Sequence, residues 1–148
     1  MNRKTVCVVL VVLVLVAFNT STLSAQSVAN TYWATSEGGE EDRAAGVLQF
    51  VVLAFEEQRI THYWIWYGTT PNGRQLISLG AQFGQCGPHN QAQTGWQGTY
   101  TQSGNTVTDS GGYTYTISGD TITFGGYTYM RVPSLDVNQW PPRVRDQR

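Results

Sequence analysis

From Trp96 to Val132 the chain alternates apolar and polar residues, and glycine interrupts the alternation at short intervals. No other feature limits the fold so strongly. A period of two sends successive side chains to opposite faces of a strand. Tyr113, Tyr115 and Ile117 share one face, with Thr114 and Thr116 on the other. Ser118-Gly119-Asp120 turns the chain, and Thr121-Ile122-Thr123-Phe124 resumes the pattern. Gly125-Gly126 turns it again before a last strand, Tyr127 to Val132. The string GGYTY therefore occurs twice, at Gly111–Tyr115 and Gly125–Tyr129. It is either one turn-plus-strand solution used twice or coincidence in a Gly/Thr/Tyr-rich segment. A repeat array would need about three units. Upstream, Trp96–Thr101 and Thr106–Thr108 read as strands around the turn Ser103-Gly104-Asn105. Links this short permit only antiparallel neighbours, so 96–132 is a five-strand meander.

The first half is less regular. Asn30–Thr35 is an opening strand and SEGGEED, Ser36–Asp42, an acidic loop. Val47–Phe55 is nearly all apolar; its Val, Leu and Phe content and the preceding Gly46 favour a strand over a buried helix. Glu56-Glu57-Gln58 is a turn, and Arg59–Tyr67 an aromatic strand. Gln75–Phe83 alternates, with Ile77, Leu79, Ala81 and Phe83 on one face, and reads as another strand. Gly84–Gly95 is a polar loop. The predicted fold is all-β: an antiparallel up-and-down meander of eight or nine strands. Its form is a small barrel, or else a strongly curved sheet or sandwich. Closure removes the edges that invite aggregation.

The N-terminus predicts a secretory signal peptide over residues 1–25. Arg3 and Lys4 precede an unbroken apolar run, Val6–Phe18, then a small polar stretch ending at Ala25. Spanning a bilayer takes roughly 20 apolar residues, so no stable membrane anchor is expected after cleavage. A secreted or periplasmic domain, 26–132, follows. Residues 133–148, with three of the five prolines, form a mostly irregular tail docked loosely through Trp140. Without the leader the chain carries seven arginines against ten acids, a formal charge of about −3. The arginines are scattered, which argues against nucleic-acid binding.

The pattern Trp96-x-Gly98-x-Tyr100, then SGNTVT, YTISGDTITF and Tyr129-x-Arg131-Val132, resembles the ending of small secreted bacterial lipocalin-like domains. The resemblance covers 96–132. It implies an eight-stranded meander barrel and small-ligand binding, with no catalytic residues.

The candidate ligand-binding residues lie in ITHYWIWYG. Ile60, His62, Trp64 and Trp66 fall on one face, and Thr61, Tyr63, Ile65 and Tyr67 on the other. Burying a large apolar side chain is worth roughly 1.5–3 kcal/mol, so two aromatic faces need a reason. Either loop or tail covers the second face, or it serves a ligand or partner. Trp64, Trp66, Tyr63 and Tyr67 are the expected contacts, with His62 as a polar one. Cys86-Gly87-Pro88-His89 places a thiol near an imidazole, but zinc needs about four ligands and a nucleophile needs an oriented base. Adjacent Glu56 and Glu57 point apart and suit a solvated turn better than paired acid–base work. No cofactor or metal is expected. The leading role is non-catalytic binding of a small apolar or stacking ligand in or beside the barrel. The alternative is a protein–protein or self-association module built on 60–67. A Cys86/His89-dependent enzyme or metal site ranks last. A filled barrel interior would favour the partner-facing alternative or a purely structural role.

Overall fold

The computed structural model describes residues 25–79 and 84–146. The leader expected at the N-terminus rests on residues 1–24, outside the described residues. The described chain runs β1 (Thr31–Ser36), α1 (Glu40–Ala44), β2 (Val47–Phe55), β3 (Arg59–Gly68) and α2 (Pro71–Leu79). It continues through β4 (Gly84–Gly87), β5 (Asn90–Ser103), β6 (Thr106–Asp109), β7 (Thr114–Ser118), β8 (Thr121–Phe124) and β9 (Tyr127–Val132). A 3-10 turn at Val137–Gln139 and α3 (Pro142–Arg145) follow.

All pairings are antiparallel. β5 to β9 form the meander expected from the alternation. β9 returns to β1, with Tyr32 opposite Val132. β3 pairs with β5 from Arg59↔Thr99 to Tyr67↔Asn90. These two contacts close eight strands into a barrel, and β4 hangs on β5 outside the ring.

Three local expectations are corrected. Residues 75–79 are helical, and 80–83 lie outside the described residues. Alternation there is outweighed by helix-start chemistry: the Thr70 hydroxyl accepts from Gly73 N–H at 3.1 Å, and Pro71 occupies the first helical position. Residues 84–95 are not a loop but β4, a turn with His89 at φ 69°, and the start of β5. Within the acidic loop, Glu40, Glu41 and Asp42 start α1, where carboxylates suit the positive helix end.

The aromatic density of β2 and β3 has a two-sided explanation. Their inner faces line the barrel, where Trp33, Leu53, Phe55, Ile60, Val107, Tyr115, Ile117, Ile122 and Tyr129 are buried together. Their outer faces meet the C-terminal segment. Val137, Trp140 and Val144 are buried against Phe50, Val52 and Ile65. The Trp140 and Phe50 rings meet edge-on at 5.0 Å, and the Trp140 indole N–H donates to Ser134 O at 2.7 Å. The tail is thus packed firmly rather than docked loosely.

One barrel end is sealed by the residues just before β1. Val28 is fully buried. Gln102 clamps this segment: its amide N–H donates to Gln26 O at 2.7 Å, and its carbonyl accepts from Val28 N–H at 3.1 Å.

Candidate functional site at the aromatic end of the barrel

The inner face of β3 climbs from the sealed end to the opposite one. Ile60 is fully buried, His62 is half-buried, and Trp64 is 39 % exposed. The cause is unequal walls. β2, β3 and β5 have 9, 10 and 14 residues, whereas β6, β7 and β8 have 4, 5 and 4. β4 pairs β5 at 90–92 and β6 pairs it at 100–103, so residues 93–99 of β5 have no described strand on that side. Among the described residues, rings on the long wall therefore lack a full facing wall.

A β-bulge shapes the centre of the site. Thr61 faces Gln97 and Tyr63 faces Thr94, so His62 alone is opposed by Gly95 and Trp96. Such an extra residue re-aims side chains. Here the Trp96 ring meets His62 edge-on, centroids 5.3 Å apart at 88°. A Cβ on Gly95 would lie 2.8 Å from the Trp64 ring. A Cβ on Gly98 would lie 2.5 Å from both the Trp96 ring and Ser110 Oγ. The spacing Trp96-x-Gly98-x-Tyr100 thus has a packing cause. Glycine lets Trp96 fold down, and Tyr100 stacks edge-on to Phe55 at 5.1 Å. A shallow cleft of about 350 Å3, lined by Arg59, Gln97, Gly98, Thr99 and Ser110, lies beside this point.

The short wall supplies the other rings. Phe124 meets His62 edge-on at 5.9 Å and Tyr113 at 5.7 Å, and lies 4.4 Å from Tyr115. Tyr113 is 56 % and Tyr127 51 % exposed. Beneath them runs a polar chain. Asp109 is buried; its Oδ1 accepts from Gly111 N–H at 2.8 Å and Tyr113 N–H at 3.0 Å. Its Oδ2 accepts from the Tyr115 hydroxyl at 2.7 Å, and Tyr115 Oη lies 2.9 Å from His62 Nε2. Burial holds the His62 imidazole below its ordinary pKa of 6.5, with the Asp109 charge pulling partly the other way. Burial, aided by the Asp109 hydrogen bond and charge, pushes the Tyr115 phenol far above its ordinary value.

The five sequence-predicted contacts divide. His62, Trp64 and Trp66 stand on the inner face, as the register requires. Tyr63 and Tyr67 stand on the outer face among residues covered by the tail, and Tyr67 donates to Asn138 Oδ1 at 3.1 Å. The rings facing the first three, Trp96, Tyr113, Tyr115, Phe124 and Tyr127, were not among the expected contacts. Their alternation was visible, but its alignment with β3 depends on barrel closure. Cys86 lies in β4 and His89 in the turn that follows, and among the described residues no hydrogen bond joins the two. The half-buried Cys86 thiol accepts from Asn90 Nδ2 at 2.9 Å and is pushed up to about 11, chiefly by burial. His89 is exposed in the β4–β5 turn. Among the described residues, no group of three His, Cys, Asp or Glu side chains could hold a metal ion. No known family model matches this chain, and comparisons with curated proteins and with solved structures return no significant match.

Proposed function

We propose that this chain is an exported, non-catalytic binding protein whose aromatic end takes a small, ring-bearing apolar ligand. The observation that carries the reading is that Trp64, Tyr113 and Tyr127 are left exposed around one end of a barrel that is otherwise packed. Half-exposed aromatics forgo part of the roughly 1.5–3 kcal/mol that full burial is worth, which a stacked ligand would recover in part. The packed lower interior, which by itself favours a partner-facing or structural role, confines a ligand to the mouth, beside the core rather than deep within it. The leader-like N-terminus supports export. Native mass spectrometry of protein purified from its own host tests the reading. A bound adduct is expected, and a clean ligand-free mass counts against it.

A second reading has one observation of its own. Leu76 and Leu79 of α2 are 45 % and 75 % exposed, an apolar ridge suited to self-association or an extracytoplasmic protein partner. Light scattering at high concentration separates the two. An oligomer supports this surface, and a strict monomer removes self-association.

A further inference from the structure

The polar chain under the mouth fixes which hydrogen-bonding group a ligand there must carry. Each Asp109 oxygen is occupied, and Oδ2 takes the one proton of the Tyr115 hydroxyl. Tyr115 Oη can then contact His62 only as an acceptor, so the imidazole places its proton on Nε2. A neutral imidazole protonated at Nε2 bears a lone pair on Nδ1, on the ring edge away from Tyr115. Among the described residues Nδ1 has no hydrogen-bond partner. The ring is held by the edges of Trp96 and Phe124, one from each wall. Trp64 follows two residues further out on the same face of β3.

Building on the mouth as the ligand site, we propose that it selects aromatic ligands bearing an O–H or N–H donor, as in phenols and indoles, with His62 Nδ1 as the acceptor. Tyr115 and Asp109 act as positioning residues: they fix the tautomer and touch no ligand. A ring without a donor leaves Nδ1 unpaired and desolvated. A net hydrogen bond at such a site is worth about a 2- to 10-fold preference.

Two matched probe pairs test this on the mature chain: phenol against anisole, and indole against N-methylindole. Isotope-labelled histidine reports both ring nitrogens by NMR, and titration gives the affinities. In the free protein the expected tautomer is Nε2–H, with an unprotonated Nδ1. Phenol and indole shift Nδ1 upfield; their methylated partners do not. The donor probes bind about 2- to 10-fold tighter than their partners. That preference is lost in Tyr115→Phe while anisole affinity is kept. A free protein with the proton on Nδ1 overturns the assignment without needing any ligand or variant. Equal binding within each pair, still weakened by Trp64→Ala, overturns the donor rule and leaves the stacking site standing. Absence of Trp64-dependent binding for all four probes overturns both.

Discussion

The two ends of the barrel are made of the same residue types and do different things with them. At the sealed end, Trp33 is fully buried, and its indole N–H donates to Thr31 Oγ1 at 2.7 Å. The Arg131 guanidinium sits 5.6 Å from its ring centre, and Val28, Phe55 and Ile60 complete the packing. At the other end Trp64 projects from the same sheet beyond the short strands and is 39 % exposed. The difference is not composition but strand length: 10 residues in β3 against 4 in β6 and β8. One end uses rings to hold the fold together. The other end leaves them exposed, above the half-buried His62 and the buried Tyr115 and Asp109.

The largest expected effect lies at the sealed end. Trp33→Ala removes a fully buried indole and its hydrogen bond and leaves a cavity that β1 and β2 cannot close. It should cost about 3–5 kcal/mol, read as a lower denaturant midpoint with an unchanged slope. A loss below about 1 kcal/mol would mean that the sealed end is no firmer than the open one.

Next in size is the response to acid. A histidine whose folded pKa lies below the unfolded value of 6.5 binds its proton more readily once unfolded. Its neutral form therefore supports the fold fully above that value, and the support fades as the pH falls below it. Asp109, two bonds along the chain, opposes the effect and limits its size. Wild-type protein should lose stability on acidification through this window, and His62→Gln should lose less. Parallel pH profiles for the two would show that the imidazole is freely solvated and that the aromatic end imposes no burial.

How much of this contrast was legible in the sequence depends on distance along the chain. The alternation of 113–132 shows which of its residues share a face, because that pattern is local. The pairing of β3 with β5 is not. Residues 84–95 look like a loop because Gln85, Gln91 and Gln93 are polar, yet Gln91 and Gln93 sit in β5 opposite Trp66 and Trp64. The helix at 71–79 was hidden behind alternating Ile77 and Leu79. Its signal was one turn earlier, in Thr70-Pro71. Two aromatic faces on β3 left open whether a cover or a ligand meets the second, and nothing local says that residues 137–144 cover the outer one. For that reason Tyr63 and Tyr67 looked like equals of Trp64, although they stand on the opposite face.

The smallest expected change in stability, and the sharpest contrast, comes from Trp64 itself. Trp64 is 39 % exposed where Trp33 is fully buried, so Trp64→Ala should cost clearly less than Trp33→Ala, about 1–2 kcal/mol. Losing a stacking platform worth about 0.5–1.5 kcal/mol should nonetheless weaken indole binding about 2- to 10-fold. Gly95→Ala provides an independent check without deleting the ring. Its new Cβ would fall 2.8 Å from Trp64 Cζ3, at the far end of a side chain that can swing outward. The indole shifts, the fold stays, and affinity falls while the denaturation midpoint holds. If both substitutions instead lowered stability as Trp33→Ala does, the open end would be a second core whose exposed rings bind nothing.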